Sequence, residues 1–367
     1  MATNIKQLTP SKLFHPGEML KDELELRGIS QKDFAQLIGI PATQLNEIIK
    51  GKRGINAEIA NVIGKALKMD AAIWINIQMN YEMDLAKQDI KHAERLEAIN
   101  IWQMLEDYVP VKFFKKQNII TGNPVADIPV IKNIYGISNI EQMATVYSNV
   151  NYARFRKSEK LTVDKINLIG WVKLVSYKAS ELTVKKFDTR TETELLHSLN
   201  KIFKENKDVV IKTKLLLSEH GIKLVIQCHP EKCAVDGISF WSNGNPAIGL
   251  TIRHNRIDNF AFTIMHELGH VFLHLVSNNK AEYIDLQKEN ASQSKSKEEI
   301  EADDYARNSL INAEAWENFM QENPFFEEAA IIAFAQRHKV NPAIVMGRFL
   351  FETEFFRVRS SIDKTLN

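Results

Sequence analysis

Apolar residues recur at helical spacing along most of the chain, and the breaks in that rhythm divide it. From Gly17 to about Gln88 five short amphipathic patterns follow one another: "GEMLKDELELRG", "SQKDFAQLIG", "PATQLNEIIKGKRG", "NAEIANVIGKALKM" and "DAAIWINIQMNYEMDLAK". Gly, Pro, Asn or Asp punctuates each, so the spacing predicts five packed helices over 15–88, with 1–14 a flexible tail. The charged pattern "AKQDIKHAERLEAINIWQMLEDY" predicts a helical linker, placed at 89–130. Residues 110–225 keep the helical period in "IKNIYGI", "INLIGWVKLVSYKASEL" and "TELLHSLNKIFKEN". Short β-prone runs follow: "IKLVIQ" (222–227), "ISFW" (238–241) and "AIGLTIR" (247–253). Helical spacing resumes near Asp258, again at about 298–312, and in "AAIIAFAQRHKVNPAIVMGRFLFE". Polar residues over 277–297 predict a loop, and 358–367 a tail. The expected class is mainly α with a small β-sheet (α+β), with compact domains at 15–88 and 131–357.

Length and composition narrow this only a little. A chain of 367 residues exceeds one ordinary core, and 44% hydrophobic with 25% charged residues is a globular balance. The net charge of +1 gives no global pull toward nucleic acid, so a DNA surface must arise from local clustering. Two cysteines, Cys228 and Cys233, argue against a disulfide framework. No signal-peptide core and no run of about 18 apolar residues is present, so the expected location is cytoplasmic, without a membrane. "CHPEKC" (228–233) offers too few ligands for a closed metal site and reads as a loop.

Within the first domain, Ser30 is placed to cap "QKDFAQLIG", Gly39 to close it, and Pro41 to sit in the first turn of the next helix. Two short helices joined by that turn form a helix-turn-helix. The second exposes Ala42, Thr43, Gln44 and Asn46 near its start, side chains that suit base edges in a major groove. Gln31 is placed for a phosphate or flanking base, and Lys50, Lys52 and Arg53 for phosphates. The segment "HPGEMLKDELELRGISQKDFAQLIGIPATQLNEIIKGKRGIN" resembles the Xre/Cro-type domain of HigA-like antitoxins over residues 15 to about 85. The resemblance implies operator DNA as a partner, a homodimer on a palindrome, and a possible cognate toxin.

The second chemical signal is "FTIMHELGHVFLH" (262–274). Four residues along a helix turn 40° past one revolution, so His266 and His270 share a face on which both imidazoles can meet one ion. Glu267 adjoins that face, placed to act on water without ligating. His274 lies about 12 Å along the axis from His266. With no Gly to break the helix after His270, it reads as structural or supporting. A third ligand must come from elsewhere. In "KEEIEADDYARNSLI" the stripe Ala302, Tyr305, Ala306, Ser309 and Leu310 fixes the inner face, and Glu299 projects onto it. Glu298 is roughly inward, Glu301 and Asp303 flank, and Asp303 is one turn from Glu299, positioned to orient a ligand histidine. The same charges also suit a solvated helix start.

"FAFTIMHELGHVFLH" with "EEIEADDYARNSLI" resembles the ImmA/IrrE family of gluzincin-like metallopeptidases. "NYARFRKS", "GWVKLVSYKA", "GIKLVIQ", "VDGISFWSNGNPAIGLTIRHNRIDNFAFT" and "NPAIVMGRF" extend the likeness over roughly 130–351. It departs at "ADDYARNSLI", where the family usually has Phe for Tyr305 and then Ala-Glu-Leu-Leu and a proline. The resemblance implies a zincin-like domain with Zn2+ on His266, His270 and Glu299, and Glu267 as general base. Candidates for a transition-state donor are His254, Arg253 and Tyr305, and "AIGLTIR" is either an edge strand for an extended peptide or an ordinary strand. The function expected is a DNA-binding regulator or antitoxin whose zinc endopeptidase cuts a repressor, partner or itself. The alternative is a non-catalytic antitoxin whose peptidase-like domain docks a toxin.

Overall fold

The computed structural model describes residues 13–148, 164–233, 235–286 and 296–367. It divides into two compact units, Met1–Trp102 and Gln103–Asn367. The fold is mostly helical with one small four-stranded sheet.

The first unit holds α1 (Pro16–Leu26), α2 (Gln31–Ile38), α3 (Ala42–Ile49), α4 (Ala57–Leu67) and α5 (Ala71–Gln88), the five helices the periodicity predicts. Their starts are fixed by side-chain caps: Ser30, Asn56 and Asp70 accept from the backbone N–H of Asp33, Ile59 and Ala72. Leu20, Phe34, Leu45, Ile48, Ile63, Leu67 and Trp74 are fully buried in the shared core.

The helix α6 (Ile90–Leu105) crosses the boundary between the units, and α7 (Val111–Lys116) and α8 (Pro124–Tyr135) follow. Phe113 and Phe114 of α7 are buried, and Pro110 touches Gly170 of α10 (Lys165–Glu181). Residues 103–130, expected as part of a linker, are therefore packed into the second unit. The segment "NYARFRKS" lies outside the described residues. Beyond α9 (Gln142–Ser148) and α10 come α11 (Glu192–Glu205) and α12 (Val209–Glu219).

The sheet contains β1 (Lys223–Ile226), β2 (Val235–Ser242), β3 (Asn245–Leu250) and β4 (Glu282–Leu286) in the order β1-β3-β2-β4. β1 runs parallel to β3, while β2 is antiparallel to both β3 and β4. Asn243 and Gly244, with φ of 48° and 84°, make the tight β2–β3 hairpin turn. One open alternative closes and one expectation changes here. β3 is an internal strand, paired on both sides, so "AIGLTIR" offers no free edge; β4, inside the stretch read as a loop, lies at the sheet's end.

After β3 comes α13 (Ile257–Gly269), which runs into a wider π-helical stretch, His270–Leu275. β4, α14 (Lys297–Leu310), α15 (Ala313–Glu322), α16 (Glu328–His338) and α17 (Pro342–Glu352) complete the unit. The expected tail at 358–367 is partly docked. Ile257 N–H donates to Lys364 O, Arg256 bridges Thr365, and Leu366 is buried against the core. Among the described residues, no helix is long and apolar enough to cross a membrane.

Candidate metal centre and helix-turn-helix

The second unit's chemistry sits where α13 crosses α14. Gly269 makes the crossing close: a Cβ there would lie 3.0 Å from the Ala302 Cα and 3.2 Å from the Tyr305 Cβ. Glu299 and Asp303, to either side of Ala302, are thereby brought to the histidine face.

Three donors converge. His270 Nε2 is 3.1 Å from His266 Nε2, and Glu299 places one oxygen 3.5 Å from His266 Nε2 and the other 3.4 Å from His270 Nε2. Ligands at 2.0–2.1 Å from a tetrahedral ion lie about 3.3 Å apart, so these separations match a zinc-sized cation. Among the described residues, this is the cluster of His, Cys, Asp and Glu with metal-ligand spacing. Both imidazoles are aimed by their other nitrogen: His266 Nδ1 donates to Asp303 Oδ1 at 3.0 Å, and His270 Nδ1 is 3.1 Å from His274 Nδ1. Glu298, the other inward candidate, is exposed and not part of the cluster.

The charge pattern fits a cation. Burial would lower the His266 pKa, but hydrogen bonds to Asp303 and Glu299 carry it up to about 10, so a proton holds the positive charge there. Burial acts to raise Glu299, yet its contacts with His266 and His270 keep it well below the usual carboxylate range. Burial lowers His270. Glu267 is fully buried, and that burial pushes its pKa up to about 8. Ser239 Oγ donates to Glu267 Oε2 at 2.6 Å, while Oε1 is buried without a hydrogen-bond partner. That oxygen lies over Gly237, where an added Cβ would come within 2.0 Å of it.

Sequence reasoning missed the sheet's share of the site. Gly237 pairs with Asp285 and Ser239 with Tyr283, so alternate residues of β2 and β4 face α13. Tyr283 stacks on His270 with ring centroids 4.6 Å apart. Asp285, raised to about 6 by burial, acts electrostatically on both His266 and Glu299. Both faces of "EYIDL" mix polar with apolar residues (Glu282, Ile284 and Leu286 on one, Tyr283 and Asp285 on the other), so no alternation marked the strand. The three donor candidates make other contacts. The Tyr305 Cβ lies at the crossing beside Gly269, and its hydroxyl donates to Glu192 Oε1 of α11 at 2.7 Å. His254 is exposed in the β3–α13 loop beside Asp236, with which Arg253 pairs at 3.4 Å.

In the first unit, Gly39 closes α2 in a left-handed conformation with φ 71°, and Pro41 is the N-cap of α3, one position ahead of the expected first turn. Leu45 and Ile48 anchor α3, and Ile49 is half-buried beside them. Gly17 fixes the far end: a Cβ there would meet the Ile48 carbonyl oxygen at 1.9 Å. Gln31, Ala42, Thr43, Lys50, Lys52 and Arg53 are exposed, with Gln44 and Asn46 half-exposed beside them. Arg53 is paired with Glu47 at 3.0 Å.

Residues 20–74 match a family model described as helix-turn-helix. Virulence-associated protein I of Dichelobacter nodosus is 36% identical over 76 residues, covering 20% of this chain and 70% of that protein. Virulence-associated protein A' of the same organism is 33% identical over 90 residues, covering 24% and 75%. Among solved structures, the Pseudomonas aeruginosa antitoxin HigA with the higBA promoter is similar at 34% identity and TM-score 0.20, over 21% of this chain and 84% of that one.

Proposed function

The chain belongs, through its N-terminal unit, to the helix-turn-helix family, and from that premise we propose that it is a DNA-binding regulator of HigA-like antitoxin type carrying a zinc peptidase centre. On the DNA side, Ala42, Thr43, Gln44 and Asn46 enter the major groove, with Gln44 and Asn46 pairing to base edges. Gln31, Lys50, Lys52 and Arg53 hold the backbone. The unit acts as a homodimer on a palindromic operator, and a cognate toxin is a candidate partner.

On the enzyme side, the ImmA/IrrE-like reading rests on one observation: three donors spaced 3.1–3.5 Å apart beside a buried carboxylate. His266, His270 and Glu299 would hold the ion. A divalent cation there supplies Lewis-acid chemistry, acidifying water and polarising a peptide carbonyl. Glu267 serves as general base. Ser239 pins its Oε2, leaving Oε1 to take the proton from attacking water and return it to the leaving amine. Asp303 accepts from His266 Nδ1–H and so would keep the Nε2 lone pair on the side of His270 and Glu299, free to ligate. Such an endopeptidase, acting on a repressor, a partner or the chain itself, couples proteolysis to repression.

Metal analysis of the purified chain, with cleavage assays on Glu267→Gln, tests this reading. About one zinc per chain, retained in the variant with cleavage lost, is expected. Zinc binding without any cleavage by wild type would leave a docking module in place of an enzyme.

A further inference from the structure

We propose that His274 and Glu301 form a positioning relay that fixes the tautomer and aim of His270, the counterpart of what Asp303 does for His266. It rests on the reading of His266, His270 and Glu299 as cation ligands. His274 is buried with both ring nitrogens engaged: Nδ1 is 3.1 Å from His270 Nδ1, and Nε2 is 3.1 Å from Glu301 Oε2. An ionised carboxylate only accepts, so His274 Nε2 carries a proton and donates it. Ligation through His270 Nε2 requires the His270 proton on Nδ1, and His274 Nδ1, 3.1 Å away, is the acceptor placed for it. That leaves a lone pair on His270 Nε2, the atom that faces His266 and Glu299. The reverse arrangement would put a hydrogen on Nε2 and close that ligand position.

The backbone and a third ring build this contact. Between His270 and Leu275 the helix widens to π geometry, and the two imidazole centroids lie 5.2 Å apart. Tyr283 packs on both rings, at 4.6 Å from His270 and 5.2 Å from His274. At the far end Lys297 holds the other Glu301 oxygen at 3.2 Å. An apolar side chain would fill the space of His274, but it would leave His270 Nδ1 without this partner.

The test uses the full-length chain, stripped of metal and titrated with Zn2+ against a chromophoric chelator, then with Co2+ to read its visible spectrum. His274→Phe keeps a ring against Tyr283 but removes both nitrogens; Glu301→Ala removes only the terminal acceptor and sits at a partly exposed position. Both are expected to bind one equivalent with affinity reduced roughly 10–100-fold and an altered Co2+ spectrum. His274→Gln and Glu301→Gln, which retain an acceptor oxygen, are expected to stay within a few-fold of wild type. Unchanged affinity and spectrum in His274→Phe and Glu301→Ala, with wild type binding one ion, overturns the relay alone. Lower thermal stability without a change in affinity or spectrum also overturns it. Absence of binding by wild type, or full binding by His266→Ala, overturns the ligand reading beneath it. Should His274→Phe not fold, the two Glu301 variants decide.

Discussion

Gly269 lies so close to Ala302 that a β-carbon at position 269 would stand 3.0 Å from the Ala302 Cα. The contact sets the distance between the helix bearing both histidines and the helix bearing Glu299 and Asp303. Gly269→Ala must push the helices apart by a few tenths of an ångström. An overpacking cost of about 1–3 kcal/mol in thermal unfolding is expected, with weaker zinc binding. Wild-type affinity in a folded Gly269→Ala protein would show that the crossing does not govern the ligand set.

A second close approach lies between Gly237 and Glu267. Gly237→Ala would drive its methyl group onto Glu267 Oε1, which lies 2.0 Å from that position, and displace the carboxylate. Zinc stoichiometry should remain at one while peptide hydrolysis falls by at least 100-fold, in line with losing a positioned general base. Measuring metal content and cleavage on the same preparation checks this.

Ligand substitutions test the trio directly. His266→Ala and Glu299→Ala each remove one of three donors and should abolish stoichiometric zinc binding, whereas His274→Ala should weaken it without abolishing it. Full zinc retention by Glu299→Ala in equilibrium dialysis would move the third ligand to another acid of α14.

Proton linkage gives an independent handle. His266, raised to about 10 in the ion-free protein, must lose its proton before Nε2 can ligate. Zinc affinity should therefore rise with pH across the neutral range. Calorimetry in two buffers of different ionisation enthalpy should record at least about one proton released per zinc bound near pH 7. For the ion-free fold the signs differ among the groups. Raised His266 and Glu267 contribute stability that is present at low pH and lost as pH climbs through about 10 and about 8. Depressed Glu299 contributes stability present above its ordinary value of 4.5 and lost in acid. Ion-free thermal stability that increased steadily from pH 6 to 10 would contradict this account.

For the DNA surface, Gln44→Ala should cost about 1–3 kcal/mol of operator binding and relax base preference. Lys52→Ala should weaken binding to all sequences and flatten its salt dependence. Glu47 already neutralises Arg53 at 3.0 Å, so Arg53→Ala should lose less than Lys52→Ala, and Glu47→Ala should tighten binding. Footprinting and salt titrations distinguish these cases.

The site was legible where local geometry dictates it. Two histidines four apart on an apolar helix share a face, and the phase of α14 turns Glu299 and Asp303 inward, so those positions could be read directly. Gly237, Ser239, Tyr283 and Asp285 could not, because strand register from separate parts of the chain brings them to α13. Polar neighbours hid β4, whose five residues are too short to stand out within a loop-like stretch. Helix phase placed Tyr305 on the inner face but could not show that its hydroxyl reaches Glu192. The docked segment at 364–367 escaped because its anchors are backbone groups, which carry no residue signature.

That segment bears on the order in which the molecule can be assembled. Lys364, Thr365 and Leu366 hold the entry of α13 through Ile257 N–H, Arg256 and Asn255 O. These partners lie about a hundred residues apart in the chain, a long loop to close before the contact returns any energy. A growing polypeptide can complete the helix-turn-helix while α13 is still unanchored. During synthesis the helix-turn-helix unit therefore matures first, and the helix bearing His266 is fully braced only after residue 366 has left the ribosome.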